Sequence, residues 1–213
     1  MKLKDKFIKL NKADRLYELD IPIIALTGGI ATGKSTAAQF FLQKGIPLLD
    51  ADKLVKIVYQ KEAVKEYLQK KFPQVIEGNS INFKSLRSLF FSDLEVKKEI
   101  ENLIYSYLPE VFRQELERLE SPSFVLYDIP LLFEKNLEHK FDVNILVYAT
   151  PEIQIQRLMS RDQHTREEAV NIISHQISID EKKKRADFIL DNGKDPRFLE
   201  DQIVALINCL TKM

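Results

Sequence analysis

The stretch "IPIIALTGGIATGKSTAAQF", residues 21–40, decides the fold of this chain. An apolar, β-forming run over 21–27 enters Gly28-Gly29-Ile30-Ala31-Thr32-Gly33-Lys34-Ser35, which satisfies G-x-x-x-x-G-K-[ST]. "STAAQFFLQK" then opens a helical pattern. Strand, glycine-rich turn and helix in that order make a phosphate cradle. The loop from Gly29 to Gly33 curls so that successive N–H groups face an anion, helped by the positive end of the helix. Lys34 reaches toward the β- and γ-phosphates, the Ser35 hydroxyl can ligate Mg²⁺, and Thr36 falls at the α-phosphate. The motif predicts that phosphate is held here. Whether it is transferred, hydrolysed or sensed must be read elsewhere.

Working outward, four more short apolar runs follow at 46–49, 123–130, 143–149 and 187–191. Helical spacing separates them, over 35–44, 51–71, 93–119, 151–160, 165–176 and 195–211. Strands that are apolar throughout and alternate with helices predict an α/β fold, its parallel sheet covered on both faces. The gap between the second and third strands is too long for one crossover, so residues 59–121 are expected to form a helical insertion. Residues 157–185 carry Arg157, Arg161, Arg166, Lys182, Lys183, Lys184 and Arg185, and read as a mobile lid that brings cations to phosphates rather than as a solvated helix pair. Residues 1–20 read as a charged, partly amphipathic and helical extension before a single domain over 21–213.

A nucleotide switch is excluded by spacing. Such a protein senses the γ-phosphate with D-x-x-G, yet none of the six glycines has Asp three residues before it. "NKAD" at 11–14 matches a guanine-reading motif but lies too close ahead of the phosphate loop to leave room for the intervening strand and helix.

Carboxylates at strand ends point instead to transfer. "LLDADK" places Asp50 and Asp52 at the carboxyl end of the second strand, where ligand sites of α/β sheets gather. Residues two apart in an extended stretch share a face. One carboxylate can then support Mg²⁺ while the other takes a proton from an attacking hydroxyl, as phosphoryl transfer requires. The alternative is an acidic helix cap. Asp128, after four apolar residues in "VLYDIPLLFE", is a candidate for the surroundings of the Mg²⁺ ion.

Bulk properties narrow the remaining classes. The 32 basic and 32 acidic residues cancel, which argues against a nucleic-acid-coating protein. No apolar run approaches the roughly 20 residues of a membrane span. A single cysteine, Cys209, forms no internal disulfide and suggests a reducing, cytoplasmic setting. His139, His164 and His175 lie far apart and read as structural rather than metal-ligating.

Three segments together resemble the dephospho-CoA kinase family. They are "LTGGIATGKSTAAQFFLQKGIPLLDADKLVK", "DIPLLFEKNLEHKFDVNILVYATPEIQIQRLMSRD" and "TREEAVNIISHQISIDEKKKRADFILDNGKD". The resemblance implies a P-loop kinase fold, a parallel five-stranded sheet flanked by helices, with an inserted helical substrate subdomain and a helical lid. It implies transfer of the ATP γ-phosphoryl group to the ribose 3′-hydroxyl of dephospho-CoA, with Mg²⁺. Lys34, Asp52 and Arg161 then take catalytic roles, Asp52 as base and Asp50 as metal support. Arg157 and Asn192 join Gly29, Ile30, Ala31, Thr32, Gly33, Ser35 and Thr36 around ATP; Lys56, Leu131, Leu132 and Glu134 approach the acceptor. Metal ligands on this reading are Ser35, Asp50 and Asp128. The implied enzyme acts on small molecules, as a monomer or weak homo-oligomer, without nucleic acid or membrane.

The chain departs from the family at Ala31, where Gly is usual and a negative φ is needed to avoid strain. It departs again at Lys56 for Arg, at Asn82-Phe83 for Asp-Arg, and at Tyr105-Ser106 for His-Pro. These departures fall mainly in the acceptor half. A related small-molecule or nucleotide kinase with another acceptor is therefore the second reading, and a catalytically weak nucleotide-binding regulator the third.

Overall fold

The computed structural model describes residues 1–212. In chain order the elements begin β1 (Lys2–Leu3), β2 (Ile23–Gly28), α1 (Lys34–Gln43), β3 (Leu48–Asp50), α2 (Ala51–Gln60) and α3 (Glu62–Lys71). There follow β4 (Ile76–Glu77), β5 (Ser80–Ile81), α4 (Phe83–Ser92), α5 (Leu94–Glu117), β6 (Val125–Asp128) and β7 (Val143–Tyr148). The chain ends with α6 (Pro151–Asp162), α7 (Arg166–Ser174), α8 (Ile179–Arg185), β8 (Phe188–Asp191), α9 (Pro196–Leu210) and β9 (Thr211–Lys212). Two compact units result, one from Met1–Asp50 with the chain beyond Pro122, the other from Ala51–Ser121.

The first unit is built on a parallel sheet of order β3-β6-β2-β7-β8. Every residue of β2 and β6 is buried, and β7 is buried except at Tyr148. Strands apolar on both faces must be covered on both faces, which is why these three occupy the centre. Ala37, Ala38 and Phe41 of α1 and Leu199, Ile203, Leu206 and Ile207 of α9 pack over Ile24, Leu26, Leu126, Val143 and Ile145. Because β2 pairs with β6 on one side and β7 on the other, it lies where the winding of the sheet reverses. A crevice opens at the carboxyl end of such a strand. The phosphate loop occupies that end.

The first twenty residues are not the helix that their pattern suggested. They form two 3-10 turns, Asp5–Phe7 and Leu16–Glu18, and a two-residue strand paired with β9. Asp142, fully buried, explains the difference. Its carboxylate accepts from the backbone N–H groups of Lys9, Leu10 and Ile23, each at 3.0 Å. It also accepts from Arg15, at 2.8 Å for Nε and 3.2 Å for Nη2. Tertiary hydrogen bonding to one carboxylate thus overrides the weak helical propensity. "NKAD" closes on itself, Asn11 Nδ2 donating to Asp14 Oδ2 at 2.6 Å and Asp14 N donating back to Asn11 Oδ1 at 3.2 Å. That is a local Asx-type turn.

The second unit centres on α5, whose Ile100, Ile104, Leu108, Val111 and Phe112 form one buried stripe at helical spacing. α2 and α4 pack on it. The continuous helix expected over 51–71 breaks at Lys61, where ψ is 134°. The β4–β5 hairpin turns at Gly78 with φ of 61°. Asn82 and Asp93 cap α4 and α5 through their side-chain oxygens.

Candidate active site

The phosphate loop is held by side chains that arrive from α6 and from the end of β8. Gly33 caps α1 with φ of 91°, and a β-carbon built there would lie 2.0 Å from Asn192 Nδ2. Only glycine satisfies both conditions. Asn192, buried, donates from Nδ2 to the Thr32 carbonyl at 2.7 Å. Arg157 donates from Nη1 to the carbonyls of Ala31 and Thr32, each at 3.1 Å, and from Nη2 to the Asn192 carbonyl at 2.7 Å. These bonds occupy loop carbonyl oxygens that would repel an anion and leave the cradle to N–H groups.

Ala31 has φ of 58°, in the left-handed region. The negative φ that would have made alanine harmless here is not what the loop adopts. A left-handed non-glycine residue costs about 1–2 kcal/mol, so the neighbours must impose it. Arg157 grips its carbonyl, and Ile30 and Ala31 pack against Ile155, Leu158 and Ala169.

At the other end of the loop, Lys34 forms a short ion pair with Asp128, both largely buried. Asp128 is in register with Asp50 on β3 and with Leu26 on β2. Two carboxylates therefore end adjacent parallel strands beside the helix that begins with Lys34, Ser35 and Thr36. These are hard oxygen donors. Mg²⁺ takes one or two carboxylates and completes its shell with phosphates and water, so no all-protein cage is required. The donor set Ser35, Asp50 and Asp128 fits that cation.

The cations of 157–185 divide by environment. Arg157 is spent on the loop. Lys182, with no exposure, pairs with Glu134 Oε1 at 2.6 Å. Arg185 pairs with Glu138 and lies over the Phe133 ring, 5.0 Å from its centroid. Arg166 pairs with Glu152 at 2.8 Å. Lys183 lies 4.7 Å over the Tyr148 ring, and Lys184 pairs with Glu181. Arg161, in the last turn of α6, is 67% exposed and bonded to its own neighbour Asp162. That hydrogen bond draws the Asp162 carboxyl below its usual range. An exposed, solvent-screened pair of this kind contributes little, so Arg161 can leave it readily. Arg161 also lines a cleft of about 350 Å³ with Gly33, Thr36, Arg157, Asn192 and Lys194.

Comparison with known proteins gives the family of the chain. The family model described as dephospho-CoA kinase matches residues 22–196. A Listeria innocua dephospho-CoA kinase is 36% identical over 191 residues, covering 86% of this chain and 94% of that protein. One from Bartonella quintana is 35% identical over 192 residues, 89% of this chain and 98% of that protein. The chain belongs to the dephospho-CoA kinase family. Among solved structures, a Thermus thermophilus protein superposes with a TM-score of 0.78 at 35% identity, covering 90% of this chain and 99% of that one. The dephospho-CoA kinase of Campylobacter jejuni gives 0.60 at 27% identity, with 90% and 98% covered. The P-loop kinase fold and an ATP-dependent kinase activity follow for this member of the family.

The family residues assigned to the acceptor are placed unevenly. Leu131 is 40% exposed, whereas Leu132 is fully buried and Glu134 is turned to Lys182. Lys56 is exposed on α2. Asp52 is exposed in the first turn of α2, because the switch from strand to helix falls between Asp50 and Ala51. The two aspartates therefore do not share one face of an extended strand. Asn82, where the family has Asp, caps α4, a role either residue fills equally well. Phe83 packs edge-on against Tyr59, ring centroids 5.3 Å apart.

Two glutamines at the phosphate loop escaped the sequence reading. Gln154 Nε2 donates to the Ile30 carbonyl at 2.5 Å, and Gln176 Oε1 accepts from Ile30 N at 3.0 Å. Gln154 is buried beside Ile155 and four residues before Leu158. A polar residue on the apolar stripe of α6 was the available signal. Among the described residues no helix is long and apolar enough to cross a membrane.

Proposed function

We propose that this chain transfers the γ-phosphoryl group of ATP to the ribose 3′-hydroxyl of dephospho-CoA, giving coenzyme A and ADP. The observation that carries the reading is the phosphate loop at the reversal point of the sheet, with Lys34 on Asp128 and Asp50 in register beside it. Amides from Gly33 to Ser35 at the start of α1 cradle the phosphates, while Lys34 exchanges Asp128 for the β- and γ-oxygens. Thr36 meets the α-phosphate. Ser35, Asp50 and Asp128 would hold Mg²⁺, which when bound neutralises phosphate charge.

Asp52 accepts the proton of the 3′-hydroxyl as its oxygen bonds to the γ-phosphorus. The bond from that phosphorus to the bridging β,γ-oxygen breaks, and ADP leaves with the electron pair. Arg161 moves from Asp162 onto the transferring group, where a cation stabilises charge best. Lys56 and Leu131 face the acceptor. Leu132 and Glu134 belong to the same acceptor set on this reading. The same reading is of a cytoplasmic enzyme that works as a monomer or weak homo-oligomer on small molecules.

Two variants test the roles. Asp52→Asn is expected to lower kcat at least roughly a hundredfold, the usual loss with a general base. Lys34→Ala is expected to abolish turnover. A folded Asp52→Asn variant at near-normal rate would reassign the base, and an active Lys34→Ala variant would overturn the phosphate-loop mechanism.

A further inference from the structure

Ile30, at the tip of the phosphate loop, has both backbone polar groups bound by side chains from distant parts of the first unit. Its carbonyl accepts from Gln154 and its N–H donates to Gln176. Gln176 lies in the link between α7 and α8. Three residues on, Ile179 of α8 reaches the loop again: a β-carbon built on Gly29 would be 3.4 Å from Ile179 Cδ1. The link therefore rests on the loop tip at two consecutive residues. The following turn of α8 carries Lys182, anchored on Glu134. Through α8 the tip is tied to the segment that follows Asp128, so Gln176 joins a fixed strut to the loop.

We propose that Gln176 is a positioning residue for phosphoryl transfer. By accepting the Ile30 N–H it holds that amide out of the cradle and fixes the peptide leading into Ala31. The left-handed Ala31, followed by the Thr32 N–H that donates back to the Gly29 carbonyl at 3.3 Å, then sets the direction in which the amides from Gly33 to Ser35 point. Without this acceptor the tip can relax toward negative φ at Ala31, and the amides lose their common focus on the phosphates. The effect acts on nucleotide binding and not on the acceptor. Gln176 contacts the loop rather than any reacting atom, so its influence passes through Ile30. The inference rests on the phosphate-loop reading of the site but not on the identity of the acceptor.

Gln176→Leu removes the acceptor oxygen at nearly constant volume. Gln176→Glu keeps an oxygen in reach of the same N–H. Two measurements separate positioning from bulk structure: hydrogen exchange at the Ile30 amide, and calorimetric affinity for ATP in the absence of acceptor. Loss of one hydrogen bond corresponds to an effect of about tenfold. In Gln176→Leu the Ile30 amide is expected to lose about tenfold in protection and ATP affinity to fall by a similar factor. The KM for the acceptor and the protection of amides in β2 and β7 stay as in the parent. Gln176→Glu retains Ile30 protection. Should Gln176→Leu fail to fold, Gln176→Asn, one methylene too short to reach, is read in the same way. Unchanged Ile30 protection and ATP affinity in a folded variant would overturn the proposal, as would a loss spread equally over the whole sheet. Failure of acceptor turnover leaves both measurements intact and bears only on the function proposed above.

Discussion

Lys182 and Glu134 form an ion pair at 2.6 Å in which the lysine has no solvent exposure. A lysine read from sequence as part of a lid is thus an internal tie between α8 and the segment after β6. Removing one partner of a buried pair leaves an uncompensated charge, whereas replacing both by neutral groups removes the penalty. Lys182→Met is expected to destabilise by about 3–5 kcal/mol, and Lys182→Met with Glu134→Gln to recover most of that loss. Urea unfolding with unchanged m-value measures both. A Lys182→Met variant as stable as the parent would refute the tie.

Ala31, at φ of 58°, predicts a gain from an unusual substitution. Ala31→Gly relieves left-handed strain of about 1–2 kcal/mol and adds about 0.4–1 kcal/mol of unfolded-chain entropy. The balance is a stabilisation of about 0.5–1 kcal/mol, or a few degrees at most in Tm. Calorimetry that finds Ala31→Gly less stable would show that the surrounding contacts, not the backbone, set this position.

Asp142 predicts that the N-terminal segment is structural. Arg15→Ala leaves a fully buried carboxylate without its cation and is expected to cost about 3–5 kcal/mol. The phosphate loop is untouched, so kcat at a temperature where the variant is folded should stay within about twofold, since distant, independent sites rarely couple. A large drop in kcat with unchanged stability would instead tie these residues to catalysis.

Tyr59 gives a dependence on pH. Burial, with smaller contributions from Glu101 and Tyr105, raises its phenol from 10.0 to about 12. The folded state therefore holds this proton more tightly than the unfolded chain. Its contribution is complete below about pH 10 and is lost as pH rises toward about 12, because the unfolded state binds fewer protons there. Tyr59→Phe should flatten the fall in stability over that interval. An identical alkaline profile for the two proteins would contradict the burial of the phenol.

The sheet was legible because its central strands are apolar on both faces, a pattern that survives without any tertiary information. The phosphate loop was legible for a related reason: Gly33, Lys34 and Ser35 stand at fixed local spacing between a strand and a helix. Residues 1–20 were not legible, since their conformation is dictated by Asp142, more than a hundred positions away in sequence. The fates of Arg157, Lys182 and Arg185 escaped for the same reason. A cation on an amphipathic helix looks alike whether it meets solvent, a carbonyl or a buried glutamate. Gln176 appeared within a recognisable segment, but its role became visible only when Ile30 was brought against it.

The most direct test of the phosphoryl-transfer account is acceptor-dependent ADP release. ATP and Mg²⁺ are offered with dephospho-CoA, adenosine, AMP or phosphopantetheine in turn, and kcat/KM is compared. The account predicts turnover with dephospho-CoA well above that with every other acceptor, and a product phosphorylated at the ribose 3′-oxygen. Equal rates with the other acceptors, or ATP binding without turnover on any of them, would contradict it.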